Sequence, residues 1–232
     1  MFSGTPAWAQ KIKVKTGIEM LKESNFKLLQ GKRVGLITNP TGVDNQLRST
    51  IDILHRAPNV QLVALYGPEH GVRGDVHAGD KVSDFKDPHT GVPVYSLYGS
   101  TRKPTKEMLE GVEMLVYDIQ DIGCRSYTYI STLYLAMQAA AENNIDFVVL
   151  DRPNPLGGLK VEGNVVEEGF ISFVSQLKIP YLYGLTCGEL AEMINGEGMI
   201  TQPCKLTVVK MKKWRRKMHF GDTGLPWVPT SP

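Results

Sequence analysis

Apolar residues along this chain gather into short continuous runs separated by polar, glycine-rich turns. RVGLIT (Arg33–Thr38), VQLVALY (Val60–Tyr66), MLVYDI (Met114–Ile119) and DFVVLD (Asp146–Asp151) read as strands. Their apolar character does not alternate, which is what strands covered on both faces require. Between them lie helical patterns. Leu47, Ile51 and Leu54 mark one, and Tyr127, Ile130, Tyr134, Met137 and Ala141 mark a longer one. Two further helices open with capping boxes, Thr16 with Glu19 and Thr186 with Glu189, and Gly196 is placed to close the second. VPVYSL (Val92–Leu97) and KLTVVKM (Lys205–Met211) are candidate edge strands. The alternation of strand and helix predicts an α/β fold over residues 11–212, a Rossmann-like doubly wound and mostly parallel sheet.

The chain has 232 residues, 42% hydrophobic and 22% charged, an ordinary globular balance that fits one large domain. Net charge is +2, and the only dense basic run is KMKKWRRKMHF (Lys210–Phe220). That run reads as a solvated edge, so no nucleic-acid partner is expected. No apolar stretch is long enough to span a membrane. Ala7-Trp8-Ala9 before Gln10 has the small-x-small form of a signal-peptidase site. Residues 1–10 are therefore expected to be the remnant of an export signal, and the protein periplasmic or secreted. Residues 213–232, rich in proline, read as a linker toward a second, smaller domain outside this chain. Cys124, Cys187 and Cys204 have no metal-like spacing and suit buried apolar positions.

In a doubly wound sheet, ligands bind beyond the carboxyl ends of the strands. Here those ends carry TNPTGVD (Thr38–Asp44), GPEHGVRGD (Gly67–Asp75), DIQDIGCRSYTY (Asp118–Tyr129) and DRPNPLGG (Asp151–Gly158). Together they offer Asn39, Glu69, His70, Arg73, Asp118, Gln120, Asp121, Arg125, Tyr127, Asp151, Arg152 and Asn154. Any one loop is explained by turn chemistry alone. Four polar loops on one edge point to a shared site.

The first loop holds one glycine and lacks the G-x-G-x-x-G of a dinucleotide site. Amides, guanidinium groups, a phenol and carboxylates suit a ligand rich in hydroxyls, such as a sugar acid. Glycoside hydrolysis commonly uses a carboxylic acid at the leaving oxygen and a second carboxylate as base or nucleophile. Glu69, on a turn after a buried strand, is the candidate acid. A metal held by Glu69, His70 and His77 with Asp75 or Asp80 is a weaker alternative, because the spacing matches no standard site. Asp151 could also serve only to hold its turn, Glu189 only to cap its helix, and Tyr129 only to fill the core. A non-catalytic binder of such a ligand or of a nucleotide, using the same edge, is the other functional class.

GPEHGVRGD, TGVPVYSLYG, DIQDIGCRSYTY, DRPNPLGG and YGLTCGELA together resemble the exo-acting β-N-acetylmuramidase family, long known as a bacterial domain of unknown function and found in Bacteroidetes among others. The resemblance runs from Gly17 to Gly198. It implies release of N-acetylmuramic acid from the non-reducing end of peptidoglycan fragments, without cofactor or metal, in cell-wall recycling. It implies a cleft between a Rossmann-like domain and a smaller C-terminal one. Glu69 falls on the glutamate of the family's PEHG motif, the implied catalytic acid, and His70 on its histidine. Arg125 is the implied partner of the lactyl carboxylate, and Asn154 of a hydroxyl or acetamido group. The implied second carboxylate is Asp121, Asp118 or Glu162, in that order.

Overall fold

The computed structural model describes residues 14–74 and 85–231. Seven strands form one sheet: β1 (Arg33–Thr38), β2 (Gln61–Gly67), β3 (Phe85–Lys86), β4 (Pro93–Ser96), β5 (Met114–Asp118), β6 (Asp146–Leu150) and β7 (Leu206–Val209). Their order across the sheet is β3-β4-β2-β1-β5-β6-β7, and only the β3–β4 pair is antiparallel. The chain starts at the centre, builds β2 and β4 on one side, then crosses back to lay β5 on the other side of β1. The order reverses between β1 and β5, where a doubly wound sheet opens a crevice at its carboxyl edge.

Helices α1 (Gly17–Glu23), α2 (Thr50–Arg56), α3 (Tyr129–Glu142), α4 (Cys187–Gly196) and the single turn α5 (Phe220–Thr223) complete the fold. Alternate strand residues face opposite layers. Val34, Leu36, Val116 and Val148 pack with Ile18, Leu21, Ile51 and Leu54 of α1 and α2. Ile37, Leu115, Tyr117 and Phe147 pack with Leu133, Met137, Leu190 and Ile194 of α3 and α4. Burial on both faces explains the unbroken apolar runs. The fold is the α/β, Rossmann-like arrangement expected from the sequence.

Both capping boxes form. The Thr16 N–H donates to Glu19 Oε2 at 3.0 Å, and the Thr186 N–H to Glu189 Oε2 at 3.0 Å. Two local expectations change. Leu47 lies ahead of α2, exposed, with φ of 60°, because Asp44 organises a turn there that accepts from the Gln46 and Arg48 N–H groups. Gly196 ends α4 as a helical residue, and Gly198, with φ of 63°, takes the left-handed position instead. All three cysteines are free and buried. Residues 213–231 lie against the domain: the Phe220 N–H donates to the Pro155 carbonyl, and Thr223 and Thr230 are buried. Among the described residues no helix is long and apolar enough to cross a membrane.

Candidate active site

Strand β2 delivers the chain into Gly67-Pro68-Glu69-His70-Gly71. The turn is tight. The Gly71 N–H returns to the Pro68 carbonyl, and a Cβ on Gly67 would sit 3.1 Å from the Gly71 backbone. His70 and Gly71 both adopt positive φ, 71° and 73°. That conformation is costly for a residue with a Cβ. It tucks the His70 ring inward, where it is buried with Nε2 3.2 Å from Ser231 Oγ, and leaves Glu69 half-buried and facing out.

A cavity of about 530 Å³ opens where Glu69 points. Its walls include Glu69 and His70 from the β2 loop, Tyr98 and Arg102 from the segment after β4, Tyr127 and Tyr129 at the start of α3, and Phe173. Tyr98 lines the cavity beside Glu69, whose carboxylate raises the phenol above its ordinary pKa. Tyr127 and Tyr129 are turned edge to face, 5.1 Å between centroids, and the Tyr127 hydroxyl meets Thr230 Oγ1 at 2.8 Å. Tyr129 is also a core residue of α3, hydrogen-bonded to the Thr230 carbonyl.

The structure thus brings Glu69, His70 and Tyr127 together at one cavity. Most of the other predicted residues build the edge behind it. Arg152 and Asp118 pair with each other, and Asp118 also accepts from Thr50. Asp151 Oδ1 accepts from the Gly188 N–H and Oδ2 from the Thr186 hydroxyl, so it fixes the start of α4; burial pushes its carboxyl up to about 6. Asn154 spans its own turn, donating to the Leu185 carbonyl and accepting from the Leu156 N–H. Gln120 donates to the carbonyls of Asp121 and Pro153. Asn39 Oδ1 accepts from the Thr41 N–H, while its Nδ2 is buried without a hydrogen-bond partner among the described residues.

Asp121 is buried next to Tyr183, whose hydroxyl donates to Oδ2 as does the Gly123 N–H, and Oδ1 has no partner among the described residues. Burial raises this carboxyl to about 6. Arg73 is tied to Asp87 and Asp52. Arg125 donates to the carbonyls of Asn164 and Ile179. Glu162 is exposed and lines a different cavity, with Lys160 and Arg216. The metal alternative joins Glu69 and His70 to His77 with Asp75 or Asp80, and the last three lie outside the described residues; among the described residues no cluster suited to a metal ion forms.

Sequence reasoning did not single out Tyr98, Arg102 or Phe173. Tyr98 sits inside the quoted TGVPVYSLYG stretch, so its signal was present. Arg102 and Phe173 have no local signature. Only the fold brings residue 173 beside residue 69.

These features define a class: a doubly wound α/β domain with a carboxylate-bearing cavity on the carboxyl edge of its sheet. The family model described as exo-β-N-acetylmuramidase NamZ, N-terminal, matches residues 34–232, and the chain belongs to that family. A Bacillus subtilis (strain 168) protein named peptidoglycan β-N-acetylmuramidase NamZ is 57% identical over 224 residues, covering 97% of this chain and 54% of that protein. A crystal structure of a DUF1343 family protein from Bacteroides fragilis NCTC 9343 superposes with a TM-score of 0.92 at 73% identity, covering 96% of this chain and 56% of that one. A second such protein from the same organism gives 0.78 at 35% identity, covering 89% and 54%. The chain therefore spans about half the length of the relatives it matches.

Proposed function

We propose that the protein carrying this domain is a glycoside hydrolase of peptidoglycan fragments, an exo-β-N-acetylmuramidase that releases N-acetylmuramic acid from the non-reducing end. Glu69 is its general acid and base. One observation carries this reading: Glu69 is the single carboxylate among the described residues lining a cavity of about 530 Å³, a volume suited to a small ligand. The name of the 57% identical Bacillus subtilis relative, peptidoglycan β-N-acetylmuramidase, supports the substrate class.

In this scheme the Glu69 carboxyl gives its proton to the glycosidic oxygen as the bond from that oxygen to the anomeric carbon breaks. The carboxylate then takes a proton from the water that ends on the anomeric carbon. Tyr98 orients the Glu69 oxygen that faces it, and the aromatic walls offer apolar surface to a sugar ring. Asp121 acts from behind the cavity, on loop geometry. The Ala7-Trp8-Ala9 spacing supports export, which cell fractionation tests.

The deciding experiment is chromophore release from para-nitrophenyl β-N-acetylmuramide by the full-length protein. Glu69→Gln is expected to lower the rate at least roughly a hundredfold while leaving ligand affinity. Full activity in Glu69→Gln, or no release by the parent protein, rejects the assignment.

A further inference from the structure

An anionic sugar needs a cation at its site, and the arginine suggested by the sequence is engaged through Nη1, its Nε buried without a hydrogen-bond partner among the described residues. The two donations of Arg125 Nη1, to the carbonyls of Asn164 and Ile179, staple the segment that follows β6, and its guanidinium carbon lies 5.9 Å from the centre of the Tyr181 ring. Arg152 is bound to Asp118, and Arg73 to Asp87 and Asp52. None of these three lines the Glu69 cavity.

Arg102 does line it, and among the described residues it is the one arginine or lysine that does. Its guanidinium carbon sits 4.5 Å from the centre of the Phe173 ring. Phe173 is a fixed platform, buried, with its carbonyl accepting from the Ser131 hydroxyl at 2.6 Å. A guanidinium stacked on a ring keeps its N–H edge in the plane, free to grip a carboxylate at two points. Among the described residues, Arg102 has its contact with the Phe173 ring and no hydrogen bond or ion pair that uses that edge. The segment after β4 thus brings two polar side chains, four residues apart, to the same cavity: the neutral phenol of Tyr98 beside Glu69, and the guanidinium of Arg102.

We propose that Arg102, held over Phe173, is the residue that selects an acidic sugar, its guanidinium binding the lactyl carboxylate of a muramic acid unit while Glu69 faces the glycosidic oxygen. This rests on the muramidase reading above and assigns its selectivity to a residue outside the quoted motifs. A site so built favours the free acid over a neutral analogue of the same shape, because only the acid accepts both N–H bonds with its charge matched. It also favours the muramide over the glucosaminide, which lacks the lactyl group.

The test is calorimetric binding to the full-length protein carrying Glu69→Gln, so that no turnover interferes. The probes are methyl β-N-acetylmuramide, its lactyl methyl ester and methyl β-N-acetylglucosaminide. The free acid is expected to bind best. Adding Arg102→Gln should weaken the acid by roughly ten- to a hundredfold and bring it level with the ester. Arg102→Lys should recover only part of the preference, since an ammonium lacks the planar fork. Arg102 is exposed, so these variants should fold, and a thermal melt confirms it. Retained preference for the acid in Arg102→Gln overturns the proposal, as does loss of that preference only in Arg125→Gln, or equal binding of acid and ester by the parent. Failure of the muramidase reading is seen separately. If the preference follows Arg102 yet the active parent cleaves no muramide, Arg102 still reads the acid and the protein is a binder.

Discussion

Arg152 and Asp118 form a two-point ion pair beneath the loop edge: Nε donates to Oδ1 at 2.6 Å and Nη2 to Oδ2 at 3.0 Å, with both side chains buried. Nη2 also donates to the Val43 carbonyl, so the pair ties the loops after β1, β5 and β6 together at the point where strand order reverses. Removing one partner strands the other charge in a site that water does not reach. Arg152→Ala is expected to cost about 3–5 kcal/mol of stability. Denaturant unfolding checks this, and a loss below about 1 kcal/mol would contradict the burial argument.

Asp121 carries the opposite sign. Burial raises its carboxyl to about 6 in the folded protein, above its unfolded value. The folded state therefore binds the proton more tightly, and this group disfavours folding once it ionises. Its penalty is absent below about pH 4 and complete above about pH 6. Asp121→Asn keeps an acceptor for Tyr183 and removes the charge. Its stability relative to the parent should rise between pH 4 and pH 7, by on the order of 3 kcal/mol. Asp87 contributes in a separate, lower window: burial opposes it, but Arg73 holds it down to about 2, so its contribution is lost only as pH falls from about 4 toward 2. Thermal melts at several pH values should show the difference between variant and parent widening upward; a flat difference would exclude the buried-charge account.

Gly123 sets the path of the loop after β5. Its φ is 80°, and a Cβ there would lie 2.3 Å from Asn154 Oδ1. Gly123→Ala adds both a left-handed penalty and a clash with the side chain that spans the RPNP turn. We expect a loss of about 2 kcal/mol or more. Denaturant unfolding should report it, and pairing the change with Asn154→Ala should recover the part due to the clash.

The sheet was legible because its strands are covered on both faces. A run such as MLVY, Met114 to Tyr117, is buried at every position and does not alternate, as a strand covered on both faces requires. The two capping boxes were legible because they are closed within four residues. The site was half legible. Glu69 was readable from its turn. Asp118, Asp151, Arg152 and Asn154 carry the same residue types as a binding site, yet Asp118 and Arg152 pair with each other while Asp151 and Asn154 bond to backbone groups and Thr186, and which polar groups pair is decided by tertiary distance. The Arg125 interactions show this most plainly: its acceptors are the carbonyls of Asn164 and Ile179, distant in sequence and without side-chain identity to read. Phe173 escaped for the same reason.

Tyr98 gives the sharpest functional test. Its pKa is raised, chiefly by the Glu69 carboxylate beside it, so the phenol stays a protonated donor across the neutral range. It lines the cavity beside Glu69 and is half-buried. Tyr98→Phe keeps the ring and removes the donor. If Tyr98 holds the Glu69 carboxyl in its reactive orientation, kcat on para-nitrophenyl β-N-acetylmuramide should fall roughly tenfold, the worth of about one hydrogen bond, while KM changes little. A role in packing alone would move the melting temperature and leave kcat. A role in holding the sugar would raise KM instead. Equal kcat and KM in Tyr98→Phe and parent would leave Glu69 to act without this partner.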